Sequence, residues 1–320
     1  MKRETVKRIA AVLVLTLITA AASGCSIRKF VVGQVAGAVS SSGPSPLESN
    51  KDVDLAVESI PAFLVFFEGL LEEVPKHRGL LTQLAQGYTS YTYLGVQQSL
   101  DRAKDSDYRT ADKLKDRAKW LYLRGNDYGL RGLESAHRGF AASFKAKPSE
   151  AVVRLNRKDL PLMYWTAASL GLAISSGRDD AGMIARIPEV DALIDRGLQL
   201  DETWRDGAFH EFAIVLAGAR PGKPDYDAID RHYHRAVELS HGGNSGVHVT
   251  YAESVSVPRQ QRDQFRELLE RALSPNPNEP ENMTLMNEVA RRRADWLLER
   301  IDALILNTEI AIDADEKESR

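Results

Sequence analysis

Two ionisable residues interrupt an apolar stretch in the second half of the chain, where His210 is followed directly by Glu211. A histidine beside a carboxylate can act as a general acid–base pair, line a ligand cavity, or form a structural pair. The two residues also match the start of the zinc motif HExxH, but Ile214 stands where the second histidine is required. We therefore expect no metal here, and we place both residues in the wall of a ligand cavity or channel.

A second pair of histidines, His232 and His234, stands two residues apart. On a helix these positions point about 200° apart, because each residue advances about 100° around the axis. The two imidazoles cannot chelate one metal from a common face, so the pattern predicts a solvated helix. The sequence also contains no Walker loop, no GxGxxG fingerprint and no nucleophile elbow. We therefore expect no cofactor, no catalytic site and no enzyme activity.

Aromatic and polar residues in two other segments suit the same cavity wall. Tyr164 and Trp165 lie in an otherwise apolar helical stretch, and each carries a polar tip that needs a partner when it is buried. Tyr251 and Glu253 occupy a similar position in a later segment. These residues can line a ligand channel, or they can fill the junctions between packed helices. We carry all four as candidate ligand or channel-lining residues.

The N-terminus has the composition of an export signal that ends at a cysteine. Four basic residues in the first eight positions precede the uncharged run 9–20, and small residues lead to Cys25, the one cysteine of the chain. A basic start, a short apolar run and a small-residue cleavage site are typical of a secretory signal peptide. Residues 22–25 are similar to a bacterial lipobox, although Ala22 stands where leucine is usual. We expect lipid attachment at Cys25; an ordinary signal cleavage that leaves a spare thiol is the alternative.

The overall composition predicts a globular body. Hydrophobic residues make up 43% of the 320 residues, and the formal net charge is −3. The acidic balance argues against non-specific binding to nucleic acid. No segment after the leader is apolar for long enough to cross a bilayer. Because no second cysteine is available for a disulfide, burial of apolar surface must stabilise the fold.

Apolar residues recur at helical spacing along most of the chain and nowhere show the sustained alternation of a sheet protein. The stretch 159–175 is apolar on most sides and predicts a central helix. Pro61 is expected in the first turn of its helix, where proline is tolerated. Helices are predicted at 60–74, 79–97, 111–134, 159–175 and 283–306, the last as a cap on the stack or a self-association surface.

Three short stretches in the second half resemble one another. Each places a small and then an aliphatic residue after an arginine, and Arg196, Arg235 and Arg271 are 39 and 36 residues apart. This spacing is near the period of about 34 residues of tetratricopeptide repeats, which are helix–turn–helix pairs. Residues 207–217 and 247–256 fit the first helices of such pairs. The pattern predicts an all-α, tetratricopeptide-like helical-repeat superhelix with a concave binding surface. The alternative is that the three stretches resemble one another by chance, as amphipathic helices often do.

The sequence resembles the T-component family of TRAP transporters, periplasmic lipoproteins also described as TatT-like. The resemblance extends from Cys25 to about residue 305, and its strongest segment is 162–168, LMYWTAA. The segments that carry it occur in a shared order, at 25–30, 77–81, 127–133, 162–168, 210–212 and 252–257.

The resemblance implies an all-helical body, lipid-anchored in the periplasm, with a channel or cleft through it and a tendency to self-associate into a homo-oligomer. It also implies a partner, the solute-binding P component of a TRAP transporter, which delivers small organic ligands to a membrane permease. The family has no agreed catalytic residues, so none is assigned to this chain.

These expectations divide the chain into a signal peptide at 1–24, a lipid anchor and flexible linker at 25–50, a helical domain at 51–308 and a tail at 309–320. The expected protein is a non-enzymatic accessory lipoprotein of the periplasm, anchored by lipid to the outer membrane. It docks a solute-binding protein and holds a small or hydrophobic organic ligand in an internal channel. The alternative is a general helical-repeat scaffold for envelope or outer-membrane assembly, which needs no cavity.

Overall fold

The computed structural model describes residues 32–35, 37, 47–277 and 279–306. Cys25 and the tail at 309–320 lie outside the described residues. Every regular element within these ranges is helical, and they contain no strand, as the spacing of apolar residues predicts. None of the described helices is both long enough and apolar enough to cross a membrane.

The α-helices are numbered here in chain order. They are α1 Val53–Glu73, α2 Arg78–Tyr91, α3 Gln98–Ala103, α4 Tyr108–Ala136, α5 Phe140–Ala146, α6 Pro148–Ala151, α7 Leu160–Ser176, α8 Ala181–Ile184, α9 Ile187–Asp201, α10 Ala208–Ala219, α11 Tyr226–Leu239, α12 Ser245–Tyr251, α13 Arg262–Leu273, α14 Thr284–Glu299 and α15 Ile301–Leu304. Two π-helical segments, Thr92–Gln97 and Ala252–Ser256, continue α2 and α12. Short 3₁₀ turns lie at Val152–Arg154, Arg157–Asp159, Trp204–Gly207 and Glu281–Met283.

The first helix begins earlier than the sequence predicts, because Asp52 caps it. The Asp52 carboxylate accepts a hydrogen bond from the backbone N–H of Leu55 at 3.0 Å, which satisfies one of the free donors of the first turn. Pro61 therefore lies inside α1 and not in its first turn, which corrects the prediction. The proline removes one backbone donor, while the buried residues Ile60 and Leu64 hold the helix against the core on either side of it.

The central helix is α7, as predicted from its apolar residues. It packs against α2, α4 and α9, and most of its side chains are buried. The contact with α4 is close because Gly129 lies at the crossing, where a Cβ atom would lie 2.2 Å from the hydroxyl oxygen of Thr166. The polypeptide therefore needs glycine at this point of α4.

A buried carboxylate ties the start of α7 to two other helix ends. The Asp159 side chain is fully buried and accepts hydrogen bonds from Arg78 Nη2 at 2.5 Å and from the backbone N–H of Asn156 at 2.8 Å. Nε2 of His137, which follows α4, lies 3.0 Å from the same carboxylate. This cluster fixes the ends of α2, α4 and α7 relative to one another.

The described residues form two hydrophobic cores that share α10 and α14, since Val289 of α14 belongs to the first core and Ala294 to the second. The first core is built mainly from α1 to α9, and it includes Phe209 and Phe212 of α10. The second core is built from α10 to α15 around Phe265, and it includes Ile214 of α10. Residues on different sides of α10 thus bury their side chains in different cores.

The stretches that resemble one another lie in α9, α11 and α13. The small residue after each marker arginine is buried, and at Gly197 a Cβ atom would lie 2.3 Å from the ring of Phe209. Helices α10 and α11 pack together, and so do α12 and α13. The last predicted helix is interrupted, however, because α14 ends at Glu299 and α15 begins at Ile301.

The marker arginines make different contacts despite their similar positions. Arg196 donates to the carbonyl oxygens of Val153 and Leu155, at 3.0 and 2.8 Å. Arg235 instead pairs with Glu202, which follows α9. Arg271 pairs with Glu267 of its own helix. The shared feature of these helices is therefore the small residue, not the role of the arginine.

Candidate functional site

An aromatic cluster around Tyr164 forms one wall of a cavity between α2, α7, α10, α12 and α14. The Tyr164 ring lies 5.0 Å from Trp165, 5.1 Å from Trp204 and 6.2 Å from Phe212, measured between ring centroids. The space, called here the aromatic cavity, has a volume of about 180 Å³. Its lining is mostly apolar and aromatic, and it includes Met283 and Met286 on the side of α14.

Glu211 is the acidic residue of the aromatic cavity. Its carboxylate accepts a hydrogen bond from Asn244 Nδ2 at 2.8 Å, and the side chain of Thr250 also bonds to it. Burial raises the pKa of Glu211, and these two hydrogen bonds act in the opposite direction. Gly246 leaves room for the carboxylate, because a Cβ atom there would lie 2.9 Å from Glu211 Oε1.

Arg205 reaches the aromatic cavity from a left-handed stretch of backbone before α10. Arg205 has φ of 47° and Asp206 has φ of 57°, and Gly207 follows with φ of 90°. Residues other than glycine rarely adopt this backbone conformation. Residues strained in this way occur frequently at functional sites. The guanidinium is neutralised by Glu48, whose carboxylate lies 2.8 Å away.

A larger and more polar space adjoins the first one, and we call it the polar cavity. Its volume is about 600 Å³. Arg293 lies in its wall and donates to Glu253 at 2.6 Å and to Asp101 at 2.9 Å. The other charged residues that line it are Lys104, Lys115, Arg178 and Asp179.

Tyr93 and Leu172 line both cavities. Tyr93 lies in the π-helical segment Thr92–Gln97, and Glu253 of the polar cavity lies in the π-helical segment Ala252–Ser256. π-Helical turns occur frequently at functional sites. Burial raises the pKa of Tyr93, and among the described residues no hydrogen bond reaches its hydroxyl group. The two cavities therefore meet at this phenol.

A family model, described as the TRAP transporter T-component, matches residues 49–305 of the chain. This match covers most of the sequence. The chain belongs to the TRAP transporter T-component family. It is also similar to an uncharacterised protein of Treponema pallidum (strain Nichols), with 24% identity over 262 residues, or 80% of this chain and 81% of the relative.

In this T-component the candidate residues fall into three places. Tyr164, Trp165 and Glu211 line the aromatic cavity, and Glu253 lines the polar cavity. Tyr251 lies outside both cavities, where its hydroxyl donates to Asp230 and its ring packs against Tyr233.

His210 also lies outside both cavities of the T-component, since its side chain points about 100° away from that of Glu211 around α10. Its Nδ1 atom lies 2.8 Å from Nδ1 of His232, and its Nε2 atom lies 3.3 Å from Glu202. His232 is thus half-buried in an interhelical contact, so the prediction of a solvated residue is wrong for His232, while His234 is exposed. His210 and Glu211 do not form an acid–base pair, because their side chains diverge.

The histidines do not assemble a metal site in the part of the T-component that is described. No group of three or more His, Cys, Asp or Glu side chains with a suitable arrangement occurs there. Burial lowers the pKa of both His210 and His232, which favours their neutral forms and one N–H···N hydrogen bond between the rings.

Sequence reasoning missed several residues that line the cavities of the T-component. Tyr93 and Arg293 belong to segments predicted as ordinary amphipathic helix, and Arg205 owes its position to an unusual backbone turn. Asn244 did carry a signal, because an asparagine before a helix is typical of an N-cap, and its side chain caps α12 at Gly246. The same side chain also holds Glu211.

Proposed function

We propose that this protein is a non-enzymatic accessory component of a TRAP transport system, which docks the solute-binding P component and holds a small organic ligand in its interior. The match to the T-component family over residues 49–305 carries this proposal. A TRAP transporter receives its substrate from a solute-binding protein, so a T-component that acts in transport needs contact with that protein or with its ligand.

The location belongs to the same proposal. Lipid attached to Cys25 would anchor the protein ahead of the helical body, against which Leu47 and Glu48 already pack, so the predicted linker does not extend to residue 50. We place the body in the periplasm and the anchor in the outer membrane. Cys25→Ser should release the protein from the membrane fraction, and unchanged fractionation of this variant would contradict the anchor.

The adjoining cavities support the ligand-holding part of the proposal. The aromatic cavity and the polar cavity share Tyr93 and Leu172, so a passage between them would form one channel lined first by aromatic and then by charged side chains. We infer that the helix pairs α10–α11 and α12–α13 stack as tetratricopeptide-like units around this channel.

Co-purification tests the docking part most directly. The full-length protein, with its anchor in nanodiscs, is mixed with the solute-binding P component of a TRAP transporter from the same organism, and the complex is measured by sedimentation velocity. We expect a complex of defined stoichiometry, together with self-association of the accessory protein. Failure of the two proteins to associate, with and without the transported solute, would overturn the docking function.

One observation favours the alternative, a scaffold for envelope assembly. The outer face of α1 exposes Phe63, Val65 and Phe66, with 53%, 70% and 51% of their surface accessible. Large exposed apolar patches are typical of protein-interaction surfaces and need no ligand cavity. The scaffold predicts association with envelope-assembly proteins in cells that lack the TRAP genes, whereas the transport function predicts that the partner is lost with those genes.

A further inference from the structure

The side chain of Glu211 lies in the wall of the aromatic cavity without a positively charged partner. Its polar contacts are with the neutral side chains of Asn244 and Thr250. Among the described residues no lysine, arginine or histidine lies within ion-pair distance of it. Buried carboxylates are almost always paired with a cation, because water no longer stabilises the charge. Glu211 is therefore either protonated, as its raised pKa favours, or ionised beside a cation that a ligand supplies.

The one cation in the lining of the aromatic cavity does not supply this charge. Arg205 is held by Glu48, at 2.8 Å, and it forms no ion pair with Glu211. For an anionic ligand the available positive side chain is Arg205, whose charge is already neutralised by Glu48. The ligand would also lie in the same cavity as the acidic residue Glu211. Acidic ligands are therefore disfavoured in this space.

The remaining walls suit an organic cation. The rings of Tyr164, Trp165 and Phe212 face the cavity, and aromatic rings attract a cation placed over their faces. The hydroxyl groups of Tyr164 and Tyr93 have no hydrogen-bond partner among the described residues, so their oxygen atoms can accept. An alkylammonium group carries donors that match these two hydroxyl oxygens and the Glu211 carboxylate.

We propose that the aromatic cavity binds a small organic amine, with its protonated nitrogen against Glu211 and its apolar part against Tyr164, Trp165 and Phe212. The volume of about 180 Å³ equals roughly six water molecules at about 30 Å³ each, which limits the ligand to a compact molecule. This inference rests on the proposed ligand-holding function and names the class of ligand. In this proposal the ammonium group of the ligand is the counter-ion of the Glu211 carboxylate.

Three probes of nearly the same shape test the proposal on the full-length protein in nanodiscs: 2-phenylethylamine, 2-phenylethanol and phenylacetate. Dissociation constants are measured by calorimetry at neutral pH, with empty nanodiscs as the blank. We expect the amine to bind at least tenfold more tightly than the alcohol, and phenylacetate to bind most weakly. Equal affinity for amine and alcohol, or tighter binding of phenylacetate, would overturn the proposal.

Variants then locate the effect. Glu211→Gln keeps the shape of the side chain and should abolish the preference for the amine, while Tyr164→Phe keeps the ring and should weaken amine binding several-fold. Glu202→Gln is the matched control, because it removes the same charge outside both cavities and should leave amine binding unchanged. Amine binding that survives in a folded Glu211→Gln protein contradicts the assignment. If that variant does not fold, the probe series on the unsubstituted protein decides.

The outcomes separate this inference from the proposed function. Binding of the alcohol or of phenylacetate in preference to the amine would leave a ligand-holding cavity and remove only the amine. If no probe binds, the inference also falls, and the docking function still stands or falls by the sedimentation experiment with the solute-binding protein.

Discussion

At the scale of single residues, neighbours in sequence are separated by the helix that carries them. His210 and Glu211 are adjacent, yet successive residues of a helix point about 100° apart, so one faces α11 and the other the aromatic cavity. The advance of about 100° per residue, which places His232 and His234 on different faces, also predicts that His210 and Glu211 point in different directions. What the sequence could not reveal is the contact between His210 and His232, because it depends on how α10 and α11 pack.

The buried Asp159 carboxylate should be the most sensitive polar residue of the described fold. Asp159→Asn removes the charge opposite Arg78 and His137 and leaves the guanidinium poorly compensated. Breaking a buried pair in this way costs about 3–5 kcal/mol of unfolding free energy, which urea denaturation measures. The control is Asp179→Asn, since Asp179 pairs with Lys115 at an exposed site. This substitution should lower the unfolding free energy by less than about 1 kcal/mol. Equal effects of the two substitutions would contradict a structural role of the cluster.

Buried histidines predict a loss of stability in mild acid. Burial lowers the pKa of His210, His232 and His248, the last to about 4, so the folded protein keeps these rings neutral. The unfolded chain takes up protons below about pH 6.5. Stability is therefore fully present above this pH and declines as the pH falls towards 4.

The size of this effect can be measured by urea unfolding at pH 7.5 and pH 5. His248 alone should make the protein about 2 kcal/mol less stable at pH 5, since one unit of pKa corresponds to about 1.4 kcal/mol. His248→Gln should reduce the difference, while substitution of the exposed His234 by Gln should not change it. Stability that stays constant between the two pH values would contradict the buried neutral state.

At the scale of helices, the existence of most elements follows from apolar spacing, and their ends follow from caps. The limits of α7 and α10 agree with the sequence pattern to within a few residues. The π-helical segments do not follow from any local pattern, because a single widened turn leaves the spacing of apolar residues almost unchanged. For that reason Tyr93 could not be assigned to a site from sequence alone. Arg293 lies in the ordinary helix α14, and its place in the polar cavity depends on how that helix packs.

Close helix crossings give a matched pair of glycine substitutions. Gly197→Ala would place a Cβ atom 2.3 Å from the ring of Phe209, which must shift within the first core. We expect a loss of about 1–3 kcal/mol, typical of overpacking. Gly69→Ala in α1 has no atom within 4 Å of its Cβ position and should stabilise by about 0.5–1 kcal/mol, because alanine favours the helix. Thermal unfolding of both variants measures the contrast, and a stabilising Gly197→Ala would show that α9 and α10 pack less closely.

At the scale of the whole molecule, the sequence predicts an all-helical body but not its division into two cores. The similar stretches in α9, α11 and α13 indicate paired helices. They do not show that α10 contributes to both cores, because that depends on the side on which each helix pair packs. The cavities lie between helices that are far apart in sequence, α2 and α14 among them. Three of the candidate residues nevertheless line the aromatic cavity, because they lie on the buried helices α7 and α10.

Sharing of α10 predicts that the described body unfolds as one unit. Phe212 lies in the first core and Ile214 in the second, so neither core can lose its structure without exposing one face of the same helix. Ile214→Ala should lower the stability by about 2–5 kcal/mol, as expected for a buried aliphatic side chain. It should do so without splitting the transition, whereas Val65→Ala, at a site 70% exposed, should have little effect.

Differential scanning calorimetry distinguishes the two possibilities for this shared helix. If α10 couples the cores, the calorimetric and van't Hoff enthalpies remain equal in both variants, and the Ile214→Ala transition moves as a whole to lower temperature. A second, earlier transition in Ile214→Ala alone would show that the second core melts by itself. Both cavities would then lose part of their walls, since α14 contributes to each of them and also belongs to the second core. A single transition instead means that ligand bound between the cores stabilises the entire body, by an amount that grows with its concentration relative to the dissociation constant.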